Sequence, residues 1–282
     1  MTAPDAAAAG VAGSWVLDQT HTVDDGDVKW RQLGDQGAPI VLVHGTPYSS
    51  LLWRDIAPAL AATRRVFVFD HLGYGQSDMR AGQDLTIAAQ ARRLAELLRH
   101  WDLGPVSVAA NDIGGAITLR AMLVEGARFS NLTLFDCVSG GEWEVGLFAQ
   151  IRNNPEVFAQ LPGYAHQALV SSHLRNATHA GYRPGVMEAY LQPWLGEDGQ
   201  AAFYRQYRQL AQADTDDYAH LLADIDIPVR LLWGREDRIV PPPFGRWLAD
   251  HVRHQSLTWI DNAGHLLQED APAQLTAALL KS

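Results

Sequence analysis

Apolar and polar positions alternate between two textures along the chain. Short runs dense in Val, Ile, Leu and Phe, each bounded by Gly, Pro or Asp, read as strands: "APIVLVHG" (Ala38 to Gly45), "RVFVFD" (Arg65 to Asp70), "PVSVAAND" (Pro105 to Asp112), "LTLFD" (Leu132 to Asp136), "PVRLLWG" (Pro228 to Gly234) and "SLTWID" (Ser256 to Asp261). Longer stretches between them keep a helical repeat. "LTIAAQARRLAELLRHW" (Leu85 to Trp101) reads as an amphipathic helix, and "GGAITLRAML" (Gly114 to Leu123) starts another. Strands that are apolar at nearly every position are covered on both faces, which predicts the α/β class: a mostly parallel central sheet with helices on both sides. The alternation stops after Asp136. From Ser139 to Leu222 no strand-like run occurs, while Trp, Tyr, Phe and Leu recur at helical spacing in "PEVFAQL" and "GQAAFYRQYRQLAQ", which predicts a helical insertion laid over the sheet.

Composition narrows the picture. A chain of 282 residues that is 47% hydrophobic can bury a large core without disulfides. The single cysteine, Cys137, cannot form an intrachain bridge, so a cytoplasmic setting is the default expectation. A formal charge of −10 without a Lys/Arg cluster argues against nucleic acid as a partner. No apolar run approaches the ~20 residues that span a bilayer, so no membrane association is expected. The opening "MTAPDAAAAGVAGSW" lacks the charged and strongly apolar regions of a secretory signal and reads as a loose leader. The expected partner is a small-molecule substrate, and the chain is compatible with a monomer or a homodimer.

Candidate chemistry gathers at predicted strand ends, where an open parallel sheet collects its site residues. In "VAANDIGGAI" (Val108 to Ile117) a strand turns sharply into a helix at Asp112, with Ala110 and Gly114 leaving room on either side. Such an elbow projects its side chain above the sheet at the positive end of the following helix. "WGREDRIVP" puts Asp237 just beyond a later strand, and "NAGHLLQEDAP" puts His265 just beyond the last. A capping carboxylate explains Asp112 alone but not the matching positions of Asp237 and His265.

With "HGTP" (His44 to Pro47), "DHLGYGQSD" (Asp70 to Asp78), the elbow, "WGREDRIVP" and "AGH" in this order, nearly the whole chain resembles the α/β-hydrolase superfamily, and the aspartate at the elbow resembles the branch of epoxide hydrolases and haloalkane dehalogenases. The resemblance implies an α/β-hydrolase fold with core over residues 1–137 and 225–282 and a helical cap over 138–224. It implies no cofactor and no metal. The chemistry fits: a carboxylate attacking an sp3 carbon yields a stable alkyl ester, and with a pKa of ~3.9 it is ionised near neutrality without a base. His265, oriented by Asp237, then activates water against that ester, while the backbone N–H groups of Thr46 and Ile113 hold the oxyanion. Glu236 and Asp136 are the competitors of Asp237 for the acid position, with a network or capping role expected for Asp136.

The leaving group is read from what surrounds the nucleophile. Haloalkane dehalogenases place a tryptophan directly after it, where this chain has Ile113, and fluoroacetate dehalogenases place arginines at the start of the helix, where it has Ile113 and Ala116. Epoxide hydrolases use cap tyrosines to protonate the ring oxygen, one from a motif that "AAFYRQ" matches at Tyr204 and Arg205. The expectation is therefore an epoxide hydrolase with Tyr204 as the ring-opening acid, and Tyr164 or His166 as the second donor. Dehalogenation with an unusual halide site and a ligand-binding, non-hydrolytic role stand as alternatives. Tyr164, Trp194 and Phe158, with Trp143, are candidate pocket residues. His166, His173 and His179 do not form a metal set, and Ser77 sits in a turn motif rather than at an elbow.

Overall fold

The computed structural model describes residues 3–254 and 256–281. Eight strands form one sheet in the order β1-β2-β4-β3-β5-β6-β7-β8: β1 (Gln19–Val23), β2 (Gly26–Leu33), β3 (Pro39–Val43), β4 (Arg65–Phe69), β5 (Val106–Asp112), β6 (Phe129–Cys137), β7 (Val229–Gly234) and β8 (Ser256–Ile260). From β4 to β8 the neighbours are parallel, and β3 and β5 are in register through Val41 opposite Val108 and Val43 opposite Ala110. β1 and β2 add an antiparallel edge. This is the α/β-hydrolase architecture anticipated from the sequence.

The first part of the chain carries helices α1 (Ala3–Gly13), α2 (Ala57–Leu60), α3 (Ile87–His100) and α4 (Ile113–Leu123). Between β6 and β7 lie α5 (Gly146–Asn153), α6 (Pro155–Ala159), α7 (Gly163–Asn176), α8 (Val186–Leu191), α9 (Gly196–Gln209) and α10 (Ala213–Ala219), and α11 (Pro242–His251), α12 (Leu267–Asp270) and α13 (Pro272–Leu279) complete the core. β5 is buried along its whole length, which explains its unbroken run of small and apolar residues. α3 begins where Thr86 Oγ1 accepts the Ala89 N–H at 3.1 Å, a side-chain cap for one of the helix's orphan donors.

The N-terminal region departs from expectation. The alanine-rich opening is helix α1, packed against α8 rather than loose. Alanine is the strongest helix former, and the helix is anchored behind by Trp15, whose Nε1 donates to Ser50 Oγ at 3.0 Å in the interior. Strands β1 and β2 were not anticipated, because "QTHTV" is mostly exposed and polar and "GDVKWRQL" buries only alternate positions. Among the described residues no helix is long and apolar enough to cross a membrane.

Candidate active site

Asp112 stands at the junction of β5 and α4 with φ 52° and ψ −134°, a left-handed strain that non-glycine residues hold only when their surroundings over-determine it. The surroundings here are close on every side. A Cβ on Gly114 would come within 2.6 Å of the His44 carbonyl oxygen, so α4 approaches β3 at backbone contact distance. A Cβ on Gly45 would fall 2.4 Å from the Asp112 Cβ. The Asp112 carbonyl accepts the Val138 N–H at 3.0 Å, which fixes the elbow to the chain leaving β6.

The carboxylate is buried, and its Oδ2 accepts the Thr46 N–H at 2.6 Å, with the Ile113 backbone N–H as a further donor. Burial raises the Asp112 pKa, and His265 and these two N–H groups counter the rise. The N–H groups of Thr46 and Ile113 thus both point at the Asp112 carboxylate.

His265, also buried, donates from Nδ1 to Asp237 Oδ2 at 3.0 Å and lies with Nε2 3.7 Å from Asp112 Oδ1. Its Nε2 has no protein hydrogen-bond partner among the described residues. The other oxygen of Asp237 accepts the N–H groups of Ile239 and Val240 at 2.8 and 2.9 Å, so the loop after β7 locks the carboxylate in orientation. Burial alone would lower the His265 pKa, but the charge and hydrogen bond of Asp237, then Asp112, raise it above its ordinary value. Glu236 turns away and binds the Ala263 N–H. Asp136, another left-handed residue, accepts the Gly234 N–H at 2.7 Å and lies against Asp237. Burial and then the Asp237 charge push its carboxyl well above the usual range.

Above the elbow opens a cavity of about 760 Å³ that includes Thr46, Asp112 and Ile113. Its walls are Trp143, Phe148, Leu169, Ile239, Val240 and Phe244, with Tyr207 and His173 as an inward polar pair. Tyr207 Oη and His173 Nε2 are 3.1 Å apart. Burial holds the Tyr207 phenol well above its ordinary pKa, and the charge of nearby Asp112 adds to this. Burial, helped by His265, lowers His173 to about 4. Near neutral pH the pair is uncharged on both sides.

Several sequence candidates do not reach this cavity. Tyr204 is buried one turn earlier on α9, where its hydroxyl meets His166 Nδ1 at 2.9 Å, and His166 Nε2 in turn donates to the Trp194 carbonyl at 2.8 Å. Trp194 itself donates to the Pro47 carbonyl and packs edge-on against Tyr74 and Phe203. Phe158 packs beside Tyr204, and Tyr164 is 79% exposed. Ser77 serves the turn, donating to the Asp70 carbonyl and accepting the Lys29 N–H. Among the described residues no cluster of His, Cys, Asp and Glu could hold a metal ion. The residues that sequence reasoning missed are Tyr207 and His173. "FYRQYRQ" contains both tyrosines at helical spacing, and the motif match favoured the first although either could face inward.

Residues 38–272 match the family described as "alpha/beta hydrolase fold". The chain belongs to this family. This α/β-hydrolase is 40% identical to a solved α/β-hydrolase fold protein from Burkholderia ambifaria, with a TM-score of 0.91 over 95% of this chain and 98% of the other. It is 27% identical over 288 residues to "Haloalkane dehalogenase 2" of Mycobacterium bovis, covering 93% of this chain and 90% of that protein. It is also 28% identical to the "dihydrolipoyllysine-residue acetyltransferase component of acetoin cleaving system" of Pseudomonas putida over 90% of this chain, but the match spans only 65% of that longer protein.

Proposed function

We propose that this hydrolase opens epoxides to vicinal diols through an alkyl ester on Asp112. The observation that carries the reading is the Tyr207–His173 pair, a neutral proton-donor pair lining the same cavity as a buried elbow carboxylate. Asp112 Oδ1, the oxygen nearer His265, attacks a ring carbon as the carbon–oxygen bond breaks. With His173 Nε2–H donating to the Tyr207 oxygen, the phenolic proton is free to pass to the ring oxygen. Oδ2 becomes the ester carbonyl oxygen and keeps its donor from Thr46. His265 Nε2 then takes a proton from water as it attacks the Asp112 carbonyl carbon, the oxyanion forms on Oδ2 between the Thr46 and Ile113 N–H groups, and collapse releases the diol, protonated by His265, while the second water proton, left on the Asp112 carboxyl, returns to the Tyr207 phenolate.

Halide release is supported less well, although one relative is named a haloalkane dehalogenase. The aliphatic side chain of Ile113 cannot donate to a halide. The indole N–H of Trp143 is committed to Thr215 Oγ1 at 2.8 Å and that of Trp194 to the Pro47 carbonyl. The reading is tested with His265→Gln, which keeps the nucleophile and removes the base. Incubated with small epoxides and alkyl halides, it is expected to gain the mass of a whole epoxide at Asp112. A gain of the alkyl group without its halide would transfer the reading to dehalogenation, and no adduct from a broad epoxide panel would refute it.

A further inference from the structure

The cavity carries charge that the hydrolytic chemistry does not use. Apart from Asp112, its charged lining side chains are Arg175 and Arg238, both exposed at the mouth. Among the described residues neither makes an ion pair or a hydrogen bond. They come from different elements, Arg175 from the last turn of α7 and Arg238 from the loop after β7. The backbone of that loop is held by the two hydrogen bonds that Ile239 and Val240 give to Asp237. Ser172 and Asn176, from the same stretch of α7, add uncharged donors to the rim. In a chain of net charge −10, two uncompensated guanidinium groups at the mouth of one cavity make a local field opposite to that of the whole. The same cavity offers the apolar side chains of Trp143, Phe148, Leu169, Ile239 and Phe244 beside the Tyr207–His173 pair.

We propose that Arg175 and Arg238 form an anion clamp that holds a carboxylate or phosphate at the outer end of an apolar substrate, whose other end reaches Asp112. Only the reactive end rests on the epoxide reading above; the clamp stands on the placement of the two arginines. A guanidinium offers paired N–H donors in a planar fork that matches both head groups, and a neutral chain of equal length gains the apolar wall but not the fork. A bound anion also joins α7 to the loop that carries Asp237, tying the inserted helices to the sheet above the site.

Calorimetric titration of the wild-type protein with octanoate, octyl phosphate and 1-octanol tests the clamp without any chemistry. At least one anion is expected to bind about tenfold more tightly than the alcohol, two partly exposed ion pairs being worth about that much. The advantage should shrink with added salt and fall toward unity in Arg175→Gln/Arg238→Gln, and the two anions ranked against each other identify the head group. Equal binding of alcohol and anions, or an anion advantage that survives the double substitution, would overturn the clamp. The epoxide reading is scored separately, by adduct formation from neutral 1,2-epoxyoctane in His265→Gln. An adduct without anion preference sinks the clamp alone, and anion preference without an adduct sinks the Asp112 chemistry alone.

Discussion

Replacing Tyr207 with Phe removes one hydroxyl from the cavity wall and leaves the ring stacked on Phe203, 4.6 Å between centroids. The fold loses the contact with His173, worth about 1 kcal/mol of stability. The cost to chemistry is larger. A positioned general acid contributes about 10²–10⁴ in rate, or roughly 3–5 kcal/mol of barrier, and the lower end applies because His173 remains as a second donor 3.1 Å from the lost oxygen. Tyr204→Phe provides the contrast three residues away. It strips His166 Nδ1 of its partner and should cost about 1–3 kcal/mol of stability, with the alkylation step unchanged within about twofold, because Tyr204 does not line the cavity. The assay is single-turnover ester formation in the His265→Gln background, quenched and read by intact mass, beside thermal melts of both variants. Alkylation slowed more by Tyr204→Phe than by Tyr207→Phe, or slowed less than about threefold by the latter, would refute the assignment of the proton donor.

Other expected outcomes use different parts of the structure. His265 must be neutral to act as base, and in the ester, where Asp112 has lost its charge, Asp237 still favours the protonated imidazole against burial, so ester hydrolysis fails as pH falls through the histidine's pKa; covalent ester should accumulate in the wild type at mildly acidic pH, and an ester level independent of pH would contradict this. His173 runs the other way: its folded pKa of about 4 lies below the ordinary 6.5, so its stability contribution is complete above 6.5 and is lost as pH falls toward 4, measurable as a declining melting temperature absent in His173→Gln. Gly45→Ala would drive a methyl into the Asp112 side chain and should cut alkylation by about 10²-fold, with undiminished alkylation showing that the carboxylate is not held where turnover needs it. Glu269→Gln breaks a buried pair in which Arg54 donates to both carboxylate oxygens at 2.7 and 2.8 Å and should cost about 3–5 kcal/mol in denaturant unfolding.

The sequence by itself determined the parallel part of the sheet and the elbow. Strands buried on both faces must be apolar at nearly every position, so β3 through β7 announced themselves. The elbow needs small residues where α4 crosses β3, so Gly114 and Ala110 marked Asp112 without help from packing. Asp237 and His265 were legible because each follows a strand end, and strand ends of a parallel sheet converge. β1 and β2 were not legible, since an edge hairpin open to solvent carries no continuous apolar signal. Nor was the choice between Tyr204 and Tyr207. Both lie on α9 at helical spacing, and only the docking of α7 against that helix decides which hydroxyl meets His166 in the packed layer and which meets His173 in the cavity. The same docking brings Arg175 to a cavity that Arg238, some sixty residues further along the chain, also lines, because a helix pattern fixes which face is buried but not what shares a cavity with it.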